Sequence, residues 1–521
     1  MHITSNIMSP KQFVTVGISL GSSHARVSVS SLVSSSPSSF SIGSSVVSNS
    51  LGSRCTPCLA AQDGEAATAF IVGEAAKKAI TRSEASRENK GEVFSRHSVL
   101  RSSARSSSAL DAFFAHLLDL AAETSGLGVK QSGRLRMILS VPSGSSPEDA
   151  SSVQEAARRG LGKTSAVVAV MTEAAAVCCA HGLAGDCLGS GRAPPAWSRA
   201  VVVKWGATAL SVTLVHRVGS TGVRVGETFR NSDCGGEAFV DAMMEHCARQ
   251  FKRKSAGCDI WDSKKAIAKL REACEAAIRT LSRGASATVE VDGIMEGMDL
   301  SVAVSRPRWS MLIAGLLAKG KETLLEGLQK LQEAGGSADA VLLSGAVCDS
   351  PPVKDLVEQV FEGDAVYRGA GGIDPEEVVA VGCGVQCAML VDSGAAEKKR
   401  KENGNDPSDP QSGSGSGNLL GLEESVIVTD DVSLGIAKLD AGGNIVGSVT
   451  AVITPGTMVG VEVAGWLESV EKGGEAAVVD MKDNTVIARM SQLDEGSVRV
   501  GMKLGREGGL VVTVGDAVLA M

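Results

Sequence analysis

The sequence predicts an α/β protein built of two similar halves, followed by a small all-β module. Three observations lead there. Strand-like apolar runs alternate with amphipathic stretches through residues 12–393. Two strand–turn–strand segments, VTVGISLGSSHARVSVS (14–30) and VVVKWGATALSVTLV (201–215), repeat one pattern. A charged, then Gly/Ser-rich tract (394–418) separates this part from residues 419–521, whose texture differs.

Taken in order, residues 1–11 read as a tail. Strands are expected at Phe13–Leu20, Arg26–Ser30, Met137–Val141, Ala166–Met171, Val201–Val203, Leu210–Val215 and Ala340–Leu343. Helices are expected at 108–124, 147–160, 173–183, 236–253, 261–283, 306–333, 352–361 and 374–393. Within 261–283, Ile267, Leu270, Cys274, Ala277, Ile278 and Leu281 recur at three- and four-residue steps, which gives one apolar face. The Ser-rich run 31–45 reads as a hairpin or loop. The tract 394–418 holds too little apolar surface to offset ordering entropy and reads as a flexible linker. Its basic run, Lys398 to Lys401, is flanked by Glu and Asp and reads as solvated, with RNA as the competing contact. Beyond it, runs such as ESVIVTD, MVGVEVAGW and GLVVTVG spell about eight short strands.

Composition removes several classes of function. The 521 residues allow several domains. A net charge of −8 gives no electrostatic case for DNA or a membrane surface. No apolar run reaches the ~20 residues of a membrane span. The opening MHITSNIMSPKQ lacks a secretory pattern, so a cytoplasmic protein is expected. Twelve cysteines fit reduced, buried thiols. The one CxxC, Cys55 to Cys58, does not open a helix as a redox pair should, and no second pair completes a zinc site. Gly162-Lys163-Thr164 is not the end of a P-loop, because Ala157 stands where that loop needs glycine.

The small residues of the two turns let backbone N–H groups approach a phosphate. With them come FIVGEAAKKA, MILSVPSGSSPEDASSVQEAARRGLG, VMTEAAAVCCAHGL, NSDCGGEAFVDAMMEHCARQFKRK, KLREACEAAIRTLS, AVLLSGAV and IDPEEVVAVGCGVQCAML, in that order. This series resembles the 70-kDa heat-shock protein (Hsp70) family. The resemblance implies a duplicated actin-like ATPase domain over 12–393, a linker, and a shortened peptide-binding β-domain over 419–521 without the helical lid. It further implies nucleotide contacts from Gly21, Ser22, Ser23, Glu173, Lys204, Gly206, Gly235, Gly236, Glu275, Arg279, Ser282 and Gly345.

The departures matter as much. Ser19, Lys204 and Ser211 stand where the family carries acids, Thr208 replaces a glycine, and Ala209 a threonine. His97, beside Arg96, falls where the family has its catalytic lysine. Ile278 and Cys348 replace cationic neighbours of the base. No catalytic residue and no metal ligand is therefore expected, ATP binding is expected to be weak, and magnesium is doubtful. Two readings of Lys204 stay open: it holds phosphate directly, or it faces solvent beside a decayed site.

A degenerate ATPase domain with a short β-domain resembles the atypical Hsp70-like subunits of ribosome-associated complexes. That implies a zuotin-type J-domain protein as partner, a conventional Hsp70 beside it, and nascent polypeptide at the ribosome. The open β-domain edges suit an extended partner segment added as a strand. An ATP-driven chaperone relying on Glu173 and His97 is the alternative. A small-molecule kinase or filament protein of the actin superfamily is disfavoured by residues 419–521.

Overall fold

A computed structural model describes residues 14–36, 39–49, 51–62, 70–86, 93–95, 104–125, 135–145, 166–181, 199–218, 222–255, 258–333, 337–362, 365–368 and 372–388, a few helical residues between 153 and 159, and strands between 434 and 520. Arg96, His97, Gly162 to Thr164, the tail 1–11 and the linker 394–418 lie outside the described residues.

The first half runs β1 (Val14–Leu20), β2 (His24–Ser36), β3 (Ser39–Val46), β4 (Thr56–Pro57), β5 (Leu59–Gln62), β6 (Phe70–Val72), α1 (Gly73–Ser86), β7 (Val93–Ser95), α2 (Ala104–Thr124), β8 (Leu135–Val141), β9 (Ala166–Thr172) and α3 (Glu173–Ala180). The second half runs β10 (Arg199–Trp205), β11 (Leu210–Val218), β12 (Gly222–Asn231), α4 (Gly236–Lys254), α5 (Lys264–Arg283), β13 (Ser286–Met295), β14 (Met298–Ser305), α6 (Arg306–Leu312), α7 (Ala314–Glu333), β15 (Ala340–Ser344), α8 (Pro351–Val360) and β16 (Ala365–Arg368). A ninth helix, α9, covers 378–388.

Each half has one main sheet, and the two share a plan. The order is β3-β2-β1-β8-β9 in one and β12-β11-β10-β15-β16 in the other. In both, the first three strands are antiparallel and the last two run parallel to the first. The Ser-rich run pairs as β2 with β3, antiparallel. The helix expected over 306–333 is two helices, because the chain turns at Ile313 between α6 and α7. Ser263 caps α5 by accepting from the Ala266 N–H at 3.3 Å, which moves that helix start to Lys264.

Between the sheets lie α3 and α9. Their sequences, EAAAVCCA and VVAVGCGVQCA, are almost devoid of large side chains. Both pack with Ile138 and Met171 of the first sheet and with Val202 and Leu342 of the second in one buried cluster. Ser28 on β2 donates to the Ala380 carbonyl at 2.7 Å. Cys178, Cys179, Cys383 and Cys387 are buried here and unbridged, acting as small apolar groups. Burial pushes the Cys178 and Cys383 thiols up, and Cys387 up to about 12.

The described residues between 434 and 520 are all strand apart from Asp440, arranged as two four-stranded antiparallel sheets. Ala437, Leu439, Ala477 and Val479 form a small apolar cluster there.

A Cβ at position 382 would stand 1.8 Å from the Ala176 carbonyl oxygen. That oxygen is backbone, so the helices must separate to admit it. Gly382→Ala is expected to destabilise the chain by about 3 kcal/mol, read as a lowered urea midpoint in chemical unfolding.

Candidate functional site

β1 and β10 end at equivalent registers. Ser19 lies across from Arg26 on β2 and beside Ser140 on β8. Lys204 lies across from Ser211 on β11 and beside Ser344 on β15. Each strand then enters a tight turn of the same build. The Gly21 N–H donates to the His24 carbonyl at 3.1 Å, and the Gly206 N–H to the Ala209 carbonyl at 2.9 Å. The tips of these turns, from opposite halves, touch: the Thr208 hydroxyl donates to the Ser22 hydroxyl at 3.1 Å.

The turns form the floor of a cavity of about 230 Å³. Helices α4 and α5 make one wall. On α5, Glu275, Ile278, Arg279 and Ser282 share a face because three- and four-residue steps return to the same side of a helix. Leu270, Cys274, Ala277 and Leu281 take the buried side. The N-terminus of α4 docks on the second turn, with Gly236 N–H on the Gly206 carbonyl at 2.9 Å and Glu237 N–H on the Ala207 carbonyl at 2.7 Å. The loop after β15 closes the cavity. Gly345 has φ +98°, and a Cβ there would meet the Trp205 carbonyl oxygen at 2.3 Å, so only glycine fits.

Of the twelve residues singled out from the sequence, ten line this cavity: Gly21, Ser22, Ser23, Lys204, Gly206, Gly236, Glu275, Arg279, Ser282 and Gly345. Gly235 and Glu173 are not among its lining residues. Gly235 is the N-cap of α4, pressed against the backbone of Ala207 and Thr208. Glu173, the first residue of α3, is buried and forms an ion pair with Lys204. Neither reading of Lys204 foresaw that partner. Cys348 is fully buried, with its thiol 3.1 Å from the Ser344 carbonyl oxygen, and takes no part in the lining.

Sequence reasoning missed Arg26, Glu237 and Glu376, which also line the cavity. Arg26 forms an ion pair with Glu376, tying β2 to the segment before α9. Arg54 reaches the neighbouring Glu377 at 3.1 Å. The available signal was IDPEE, which places two carboxylates side by side. Burial holds Glu237 above the usual carboxylate range, Arg271 opposes this, and Asp241 and Glu275 add to it.

A magnesium ion needs oxygen ligands held near octahedral geometry, usually one or two carboxylates with water and phosphate. The strand ends supply Ser19, Ser211, Ser344 and an ammonium. No cluster of three or more His, Cys, Asp or Glu suited to a metal occurs among the described residues. The strand ends themselves offer no carboxylate to such an ion.

These charges set the response to substitution and to acid. Removing one partner of a buried pair strands the other, which costs about 3–5 kcal/mol. Lys204→Met or Glu173→Gln should each lose on that order in urea unfolding, and the double variant should regain most of it. Burial and the Arg26, Arg279 and Lys77 charges push His24 from its ordinary 6.5 down to about 4, and burial does the same to His181. Both are then neutral in the fold, while the unfolded chain takes up protons below pH 6.5. Their contribution is complete above pH 6.5 and declines as pH falls towards 4. Urea midpoints should drop across that window, and His181→Gln should flatten the drop.

Known proteins share much of this chain. It is similar to a ribosome-associated molecular chaperone of Eremothecium gossypii, 31% identical over 231 residues, 44% of this chain and 36% of that protein. A ribosome-associated molecular chaperone of Saccharomyces cerevisiae is 30% identical over 234 residues, covering 45% and 36%. Heat shock cognate 70 kDa protein 3 of Dictyostelium discoideum is 33% identical over 163 residues, covering 31% and 25%. The matches span about a quarter to a third of the length of these curated relatives. The model of the Hsp70 protein family matches residues 137–400, just over half of the chain. From within β8 to beyond α9 it covers the β10 turn, the loop after β15 and the α5 wall, and the chain belongs to the Hsp70 family.

Proposed function

We propose that the chain is an Hsp70-type co-chaperone that does not hydrolyse ATP and works as an assembly partner at the ribosome. One observation carries this reading: Lys204 pairs with Glu173 at the strand end where the family places an acid. Phosphoryl transfer depends on positioned metal and an oriented water. An ammonium has only donors and cannot act as a base, and its carboxylate partner is engaged by it. The like strand order of the two sheets supports the reading of 12–393 as a duplicated actin-like domain. The strands after 434 support a separate β-domain after the linker.

The ribosomal setting draws on relatives whose names say ribosome-associated chaperone. The partner in this reading is a zuotin-type J-domain protein, with a conventional Hsp70 acting on the nascent chain. Its extended segment would add to an open edge of the C-terminal sheets. The second reading, an ATP-driven chaperone with rearranged groups, draws on the ten expected contact residues that do line the cavity.

The deciding measurement is single-turnover release of γ-phosphate by the isolated chain with magnesium. No release above the protein-free rate is expected. Release at the pace of an ordinary Hsp70 would establish the second reading. Affinity capture of the full chain should retain a J-domain protein, and deletion of residues 419–521 should weaken that retention at least tenfold.

A further inference from the structure

We infer that the C-terminal end of α4, the 3-10 turn at Ile260–Asp262 and the starts of α5 and α6 form a surface for an unpaired stretch of RNA. Trp261 stacks on a base there, and the cations around it meet phosphates. The inference goes beyond the assembly role and does not rest on it.

The first support is a local reversal of charge. The chain carries −8 in total, yet residues 249–265 hold six cations against two carboxylates. Arg249, Lys252 and Arg253 share one side of α4, because three- and four-residue steps return to it. Arg308, in the first turn of α6, converges on the same place. Burial, then the Arg308, Arg249 and Arg253 charges, hold His246 below its ordinary range, so three like charges surround one buried ring. Arg253, Lys254, Lys264, Lys265 and Arg308 are exposed and form no ion pair among the described residues. Lys269 and Arg271, by contrast, tie the fold, to the Asp292 carbonyl at 3.1 Å and the Asp241 carboxylate at 2.7 Å.

Helix electrostatics accounts for only part of this. Cations in the last turn of α4 complement its dipole. Lys264 and Lys265 do the opposite: they begin α5, where acids stabilise a helix, and its first turn holds none. Two lysines at that end suit an anion brought from outside.

The second support is Trp261, and it is independent of charge. Trp261 is 45% exposed, whereas Trp205 and Trp309 are buried at 0% and 1%. The turn is held on both sides. Ile260 is anchored in the core of the second half. Asp259 accepts from the Trp261 N–H at 3.2 Å with one oxygen and from the Lys252 ammonium at 2.7 Å with the other. The indole is therefore fixed beside Lys252 and three residues before Lys264. Stacking on an aromatic face accepts any unpaired base, while cations follow the strand's phosphates. A duplex hides its base faces. A membrane needs an apolar face of several side chains, and the residues that follow Trp261 are Asp262, Ser263, Lys264 and Lys265. An acidic peptide would make no use of the indole.

The test is fluorescence anisotropy of a labelled single-stranded RNA of about 15 nucleotides, titrated with the full chain. Affinity should fall about 50-fold between about 50 and 200 mM salt, as for about four neutralised phosphates. Trp261→Ala should weaken binding at least fivefold and leave the salt dependence unchanged. Arg253→Gln/Arg308→Gln should weaken it and flatten the salt dependence, whereas Lys354→Gln on α8 should stay within twofold. No binding at low salt, no effect of Trp261→Ala in a folded chain, equal binding of duplex RNA, or displacement of the RNA by phosphatidylserine vesicles or polyglutamate overturns the inference. If the variants lose the fold, the wild-type preference for single-stranded over duplex RNA decides alone. Failure here leaves the proposed function standing, because that reading is carried by the Lys204–Glu173 pair.

Discussion

The geometry of the molecule depends on two helices that carry almost no side chains larger than a valine. α3 and α9 lie between the main sheets and touch both. Alanine, glycine and cysteine let their backbones approach until a single added methyl at Gly382 would collide with a carbonyl. The close approach fixes where β1 and β10 end, and so where the two turns meet. Larger residues would pack with more dispersion energy but would hold the halves apart. Small residues give up apolar burial for proximity, and the turns at the cleft floor are within hydrogen-bonding reach because of it.

Upon that frame the charged groups form cross-links between segments far apart in the chain. Lys204 with Glu173 joins β10 to α3, Arg26 with Glu376 joins β2 to the approach to α9, and Arg54 with Glu377 adds a third tie. The first two lie beside the ends of β1 and β10. Here the charges satisfy one another.

Much of this was legible in the sequence, for physical reasons. The α5 wall was readable because Leu270, Cys274, Ala277 and Leu281 mark one side, which leaves Glu275, Arg279 and Ser282 facing the cavity. The β1 and β10 turns were readable because Gly between two apolar runs is a local signal. The β13–β14 hairpin alternates exposed and buried residues over Ser286–Val291 and Asp299–Ser305, visible in SATVEV and LSVAVS, although the sequence reading marked no strand there. What could not be read was pairing at a distance. Nothing local makes Glu173 the neighbour of Lys204, or ties Arg26 to Glu376 across 350 positions. Such contacts follow from topology, and topology here comes from the helix crossing. The break at Ile313 was equally hidden, since RPRWSMLIAGLL is apolar on both sides of it.

The Lys204–Glu173 pair bears on how such a chain can change over generations. A lone substitution placing an acid at position 204 would set it against Glu173, two like charges in a buried spot. A lone loss of Glu173 would leave the ammonium stranded. Either single change first crosses a less stable protein, so the two positions are bound to change together. Once both partners are in place, selection for folding alone suffices to keep them there.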